Sequence, residues 1–519
     1  MEKRPNILII TSDQQRKDSL GIYNQNVHTP VLDAIASDGI TMDRAYITHP
    51  TCTPSRASIL TGQMASHHGA YTIGTALNED TVKFSDLLSK EGYDTFFTGK
   101  PHFQQLSDPD SFEWSGNALN EEYWKGYQSG YYGFKDLKIY NGHTDYSFTA
   151  GMHYRLWLKE KGLSDEEISS RFNYIPSNTY REHGEWKIER KFHPTVFTAD
   201  CAVDYLTRHK TENPFLMWVS FSDPHDPHVV PEPYASMYAP EDVNYLGYVE
   251  GEHNCRPVWY HQLYENGLEG LDFNDEFGAP SVLSAKKFGD EKYFREITAI
   301  HHGMVKLMDE EIGRIVQTLK AKGEYDNTLI LFTTDHGDYL GNHGYVYKGF
   351  PAFEEVYNVP MIVKLPDSKH RGSRSSALTS HIDIAPTILE AAKAGACDEM
   401  DGISQWKLWN GETKQVREFA EIENRPVEKG FYQKMLVTSR YKIVVYMDSK
   451  DGELYDLETD VNQYHNLWDE DSCFEIKKEL LQKMAKKSGY GIEEIDKLLA
   501  VLWKGMHDEE PVQARTCYS

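Results

Sequence analysis

The chain has 519 residues, 39% hydrophobic and 13% aromatic, enough to bury a large core and too apolar for a disordered or low-complexity protein. Asp and Glu number 80 against 54 Lys and Arg, a net charge of −26 at pH 7, and no basic run tracks a phosphate backbone, which sets nucleic acid aside as a partner. The apolar run from Ile7 stops by Asp13, too short for a secretory core, no stretch approaches the roughly 20 apolar residues of a membrane span, and the six cysteines are widely spaced without a C-x-x-C pair, so the sequence predicts a reduced, cytoplasmic chain without a membrane partner.

A prior of roughly 150 residues per domain predicts two to three domains. Asn6 to Thr11 reads as a fully buried strand, an unbroken apolar run typical of a parallel sheet covered on both faces. Thr29-Pro30 opens a helix, with Thr as N-cap, Pro in the first turn, Leu32, Ile35 and Ala36 on one face and Gly39 as the stop. Tyr93 to Thr98, Phe215 to Phe221 and Leu329 to Thr334 are further strands, and Phe294 to Lys320 is a long amphipathic helix. This alternation predicts an α/β fold, a large, mainly parallel β-sheet sandwiched by helices, over residues 1–396. The aromatic, charged stretch 103–193 breaks the rhythm and reads as an insertion at one rim of the sheet. After a helix from His381 to Ala394, residues 397–519 read as a smaller C-terminal α+β subdomain, with two strands in Gln433 to Met447, a third at Gly452 to Leu457 and helices from Phe474 to Trp503.

Polar residues follow the predicted strands directly: Asp13-Gln14, then Lys100-Pro101-His102, Asp223-Pro224-His225 and Asp335-His336-Gly337. In an open α/β sheet the ligand crevice lies beyond the carboxyl ends of the strands, so four separate segments deliver side chains to one place. Asp13, Gln14 and Asp335 offer oxygen ligands and His336 an imidazole, a set suited to a hard divalent cation, Ca²⁺ or Mg²⁺, rather than to a zinc thiolate site. In Cys52-Thr53-Pro54-Ser55-Arg56, Pro54 fits a first helical turn, which puts Cys52 at or just before a helix N-terminus. There the free N–H groups favour an anion, Arg56 adds a planar fork of donors, and the thiol is expected to be acidified.

With Leu60-Thr61-Gly62 completing the pattern C-x-P-S-R-x-x-x-L-T-G, these segments resemble the type I, formylglycine-dependent sulfatases of the alkaline-phosphatase superfamily. The blocks Asn6-Ile7-Leu8 to Asp13-Gln14, Gly99 to His102, Asp223 to His225 and Thr334 to Gly337 match in order and spacing. Gly452 to Leu457, followed by Asp460 and Asn466-Leu467, matches the closing segment. The resemblance spans nearly the whole chain and is weakest over Phe103 to His193.

The resemblance implies a sulfatase in which Asp13, Gln14, Asp335 and His336 bind Ca²⁺, with Mg²⁺ as the alternative, and residue 52 completes the shell. It implies that a formylglycine-generating (sulfatase-maturating) enzyme oxidises Cys52 to the aldehyde. One hydroxyl of the aldehyde hydrate then attacks the sulfur of a small anionic sulfate ester, and the second expels sulfate. It assigns Arg56 to orienting residue 52, Lys100 and Lys348 to the sulfate oxygens, His102 to the proton removal that frees sulfate, and His225 to the leaving oxygen. Preplaced cations suit the charge that gathers on sulfuryl oxygens, and imidazoles suit proton exchange near neutrality. Two departures stand out: Asp-Gln where many members carry Asp-Asp, and Pro101 where many carry Trp. The phosphonate monoester hydrolase or phosphodiesterase branch of the superfamily is the alternative, opposed by the Lys100-x-His102 pair. A non-catalytic sulfosugar-binding protein with Cys52 as a thiol is an alternative of another class. For the substrate, the reading is an exo-acting sulfatase of sulfated mono- or oligosaccharides, glycosaminoglycan-derived ones among them, with an aryl sulfate as the other option. His228, His67 and Tyr347 are candidate substrate contacts, and Tyr123, Trp124, Tyr127, Tyr131, Tyr132 and Tyr140 either stack on a sugar or form the insertion's core.

Overall fold

In the computed structural model, residues 4–142, 150–172, 183–267, 282–368, 370–425, 432–446 and 449–487 are described. The apolar run at the start becomes β1 (Asn6–Ser12), with every residue buried. Side chains alternate across a strand, so Ile7 and Ile9 enter one hydrophobic core while Leu8 and Ile10 enter another. Such a strand needs a helical layer on each side.

The main sheet adds β2 (Ile40–Tyr46), β3 (Asp94–Gly99), β4 (Asp136–Ile139), β5 (Phe215–Ser220), β6 (Thr328–Thr334), β7 (Asn358–Val359), β8 (Met361–Lys364) and β9 (Ser373–Ser380). Strands β6, β1, β5, β3 and β4 lie side by side in that order, all parallel. On the other flank β7 and β8, separated by Pro360, run antiparallel to β2, β8 also to β6, and β9 pairs parallel with β2. One face is covered by residues of α2 (Cys52–Thr61), α3 (Phe84–Lys90) and α6 (Ile384–Ala391). The other is covered by α1 (Pro30–Ser37), α4 (Pro194–Arg208) and α5 (Glu291–Ala321). The mainly parallel, helix-sandwiched sheet is thus as the sequence predicts.

Behind it stands a four-stranded antiparallel sheet in simple sequential order, β10 (Phe419–Asn424), β11 (Gln433–Thr438), β12 (Tyr441–Tyr446) and β13 (Gly452–Asp456). Leu480, Leu481 and Met484 of α7 (Phe474–Lys487) pack with Leu436, Ile443, Val445 and Leu454 of this sheet. Met447, the predicted helical stretch 488–503 and Cys517 lie outside the described residues.

Two local readings, the Thr29 cap and the cysteines, are corrected. Thr29 is the N-cap of α1, but its hydroxyl donates to Asp33 Oδ1, and the free N–H groups of Val31 and Leu32 donate instead to the buried Asp309 carboxylate on α5, at 3.2 and 2.8 Å. Stretch 103–193 lies at one rim of the sheet, where it supplies the edge strand β4 and a packed aromatic core, with Trp124, Tyr131, Tyr132 and Tyr140 buried. Cys52, Cys201, Cys397 and Cys473 are free thiols, but Cys255 is disulfide-bonded, so the chain is not fully reduced. Among the described residues no helix is long and apolar enough to cross a membrane.

Candidate active site

The parallel register aligns Thr11 with Ser220, Ser12 with Thr334, and Gly99 with Ser220, so the carboxyl ends of β1, β3, β5 and β6 lie level. The residues that follow converge from four directions. Gly99 has φ +98°, and a Cβ there would sit 1.8 Å from the Ser220 carbonyl oxygen. Only glycine permits that approach, which lets the Lys100 N–H donate to Ser220 O at 2.9 Å.

Cys52 is the first residue of α2, and all ten residues of this helix are buried. Its Sγ lies 3.1 Å from His336 Nε2, 3.4 Å from Lys348 Nζ and 3.8 Å from Asp13 Oδ1. One turn along, the Arg56 fork donates from Nε to Asp335 Oδ2 at 2.8 Å and from Nη2 to Asp13 Oδ2 at 3.3 Å. Its Nη1 donates to Lys100 O and Ser220 Oγ, at 3.0 and 2.6 Å. One guanidinium thereby ties the ends of all four strands together, a task for which its planar, multiply donating geometry is suited. Lys100 Nζ adds an ion pair to Asp13 Oδ2 at 2.5 Å.

Burial opposes ionisation of Asp13, but the charges of Lys100, His225, Arg56 and Lys348 outweigh it and hold the carboxyl well below its usual range. The expected acidic thiol does not materialise: burial, reinforced by the Asp13 charge, pushes Cys52 up to about 11. The helix terminus is offset here by loss of solvent and a neighbouring carboxylate. Burial also lowers His336 to about 4, despite Asp335. Its Nδ1 donates to Gly337 O at 3.0 Å, leaving the Nε2 lone pair facing Cys52.

Asp13, Cys52, Asp335 and His336 each offer a ligand atom, all within 4.8 Å of one another and all buried. Two carboxylates and an imidazole with its lone pair turned inward fit a divalent cation.

Gln14 sits at φ +62° and turns its amide across a second group. Nε2 donates to Asp226 Oδ1 at 3.1 Å and Asp338 Oδ2 at 2.5 Å, while Oε1 accepts from Lys348 Nζ at 2.6 Å. The orientation is fixed by Lys348, because an ammonium can only donate and so faces the amide oxygen. Burial raises Asp226 to about 6 and Asp338 to about 7. Lys348 follows Tyr347, whose φ of +67° turns the chain inward. Its Nζ lies 2.7 Å from His225 Nε2, and His225 Nδ1 donates to Asp226 O at 2.7 Å.

His102 is buried with a left-handed φ of +53°, and neither ring nitrogen has a hydrogen-bond partner among the described residues. Burial, then the charges of Lys100 and Arg56, depress it well below the usual imidazole range. Asp13, Gln14, Cys52, Arg56, Lys100, His102, His225, Asp335, His336 and Lys348 thus form one buried assembly. The other candidates make different contacts. His228 is buried 5.7 Å from the His301 ring, Tyr347 packs its ring on Phe288, and His67 is half-exposed and paired with Asp401. Asp226, Asp338 and Ser220 escape the sequence reading as site residues. Asp338 closes the run Asp335-His336-Gly337-Asp338, and Asp226 follows His225, but proximity in sequence does not reveal that Gln14 joins them.

A family model described as Sulfatase matches residues 5–394, and a second, described as N-sulphoglucosamine sulphohydrolase, C-terminal, matches residues 341–489. The chain is 28% identical over 470 residues to an arylsulfatase of Clostridium perfringens, covering 89% of this chain and 90% of that protein. It is 26% identical over 541 residues to an N-acetylglucosamine-6-O-sulfatase of Bacteroides thetaiotaomicron, covering 97% and 90% respectively. The crystal structure of a phosphonate monoester hydrolase of Agrobacterium radiobacter superposes with a TM-score of 0.76 at 26% identity, over 93% of this chain and 95% of that one. With the family model spanning most of the chain, and a buried cysteine set among carboxylates, cations and histidines, the chain belongs to the sulfatase family and is a sulfuric ester hydrolase.

Proposed function

We propose that the chain releases inorganic sulfate from a sulfated mono- or oligosaccharide, with residue 52 as formylglycine and a divalent cation, Ca²⁺ before Mg²⁺, held by Asp13, Asp335, His336 and residue 52. The ligand set expected from the sequence also includes Gln14, whose amide in this arrangement binds Lys348, Asp226 and Asp338. When present, formylglycine supplies a hydroxyl nucleophile and the cation supplies positive charge for the sulfuryl oxygens. The observation that carries the reading is the convergence of Arg56, Lys100 and Lys348 on Cys52 and its carboxylates, three buried cations in a chain of net charge −26. Arg56 and Lys100 are paired with Asp13 and Asp335, whereas Lys348 hydrogen-bonds the neutral Gln14 amide, which leaves positive charge to meet a bound anion.

Arg56 holds Asp13 and Asp335 in place, so its role is to fix the ligand carboxylates. Lys100 and Lys348 stabilise the nonbridging oxygens as charge accumulates. His225 carries its proton on Nδ1 and receives a hydrogen bond from Lys348 at Nε2, so a proton shared between these two groups passes to the leaving ester oxygen, which departs as the alcohol. His102, kept neutral by burial and by Lys100 and Arg56, accepts a proton at a free ring nitrogen once a bound anion offsets those charges.

The sugar assignment is supported by the N-acetylglucosamine-6-O-sulfatase relative. A phosphonate monoester hydrolase is the second reading, favoured by the structural likeness to that of Agrobacterium radiobacter. Against it stands the Lys100 and His102 pair. Peptide mass spectrometry after co-expression with a formylglycine-generating enzyme tests the nucleophile: an aldehyde at residue 52 in active protein supports it, and full activity with an intact thiol overturns it.

A further inference from the structure

His102 adopts a left-handed backbone, disfavoured for a residue with a side chain, and its ring makes no hydrogen bond among the described residues. Something else must fix it. Eleven residues on, the side chain of Glu113 folds back beneath this turn and is fully buried. Its Oε1 accepts from the N–H of Phe103 at 2.8 Å and of Gln104 at 3.2 Å, and the His102 N–H also faces the carboxyl. Successive N–H groups in a left-handed turn form a nest that favours an anion. Glu113 is itself anchored: Tyr131 donates to the same oxygen at 2.8 Å, Ser111 Oγ accepts from the Glu113 N–H at 3.0 Å, and Asn141 Nδ2 donates to the Glu113 carbonyl at 2.5 Å. Burial raises the carboxyl to about 7, against the pull of these N–H donors.

We propose that Glu113 is the positioning residue for His102: its carboxylate fills the nest of residues 102–104 and so aims the imidazole at the sulfate site. This gives the stretch 103–193 a role in turnover, since Glu113, Tyr131 and Asn141 all belong to it. The inference rests on the reading of His102 as a proton acceptor in the reaction.

The test is a double-mutant cycle on 4-nitrophenyl sulfate, with protein matured by a formylglycine-generating enzyme. Glu113→Ala is expected to lower kcat 10- to 100-fold with KM within twofold, and Glu113→Gln, which keeps an acceptor oxygen, to recover most of that loss. Glu113→Asp, one methylene shorter, covers the case in which the alanine variant does not fold, and is expected to lower kcat at least fivefold. In the His102→Ala background each Glu113 substitution is expected to cost less than twofold more. Losses that multiply in that background, or a Glu113→Asp enzyme with unchanged kcat, would overturn the route through His102. A His102→Ala enzyme at the wild-type rate would instead overturn the role of His102, and the proposal with it.

Discussion

Lys348 donates to His225: its Nζ lies 2.7 Å from His225 Nε2, while His225 Nδ1 is committed to the Asp226 carbonyl. With Nδ1 committed to a carbonyl and Nε2 facing the ammonium, His225 and Lys348 form one hydrogen-bonded unit. Substitution of either residue removes the same unit. Lys348→Ala and His225→Ala are each expected to reduce kcat/KM by about 10²- to 10³-fold, and the double variant little more. Steady-state kinetics on an aryl sulfate check this. Independent, multiplicative losses would separate the two roles.

Gln14 joins Lys348 to a buried acid pair that no other residue type of its size bonds equally well. Glu at this position would place a third carboxylate against Asp226 and Asp338, whose pKa values are already raised to about 6 and about 7. Gln14→Glu is expected to destabilise the fold by about 1–3 kcal/mol and to lower activity at least tenfold. Thermal unfolding and kcat measured together check it, and a variant as stable and active as the wild type would contradict it.

How much of this was readable in the sequence depended on where partners lie along the chain. β1, β3, β5 and β6 are continuous apolar runs with their chemistry immediately behind them, so strand and motif announce each other. β2 and β9, with sequences ITMDRAY and SRSSALTS, carry mixed faces that match neither helical nor strand periodicity cleanly. β8 has only four residues behind Pro360. The C-x-P-S-R segment located Cys52, yet not the rise of its pKa, because Asp13, which contributes to it, lies 39 residues away. Asp338 and Gln14 are 324 residues apart, and nothing local to either marks the bond between them.

Asp309, which accepts from the start of α1, has its pKa raised to about 7 by burial. Its unfolded value is about 3.9, so between roughly pH 4 and 7 the folded state binds more protons than the unfolded state. The stabilisation is complete below the unfolded pKa and is lost as pH rises through about 7. Asp309→Asn removes that titration. The unfolding free energy of the wild type minus that of the variant is expected to fall with rising pH across this window, by at most about 1.4 kcal/mol per pH unit. Urea denaturation at several pH values measures it, and a pH-independent difference would contradict the account.

The donor set of Asp13, Cys52, Asp335 and His336 makes metal removal informative. Dialysis against a chelator is expected to abolish turnover and lower Tm, and Ca²⁺ to restore both in proportion to its binding. Full activity in rigorously metal-free protein would remove the cation from the account.

The most direct measurement is kcat/KM for an aryl sulfate against the matching aryl phosphonate monoester, on formylglycine-matured protein with Cys52→Ala as the blank. The account predicts a clear preference for the sulfate, abolished by the substitution. A preference for the phosphonate, or sulfate cleavage that survives Cys52→Ala, would contradict it.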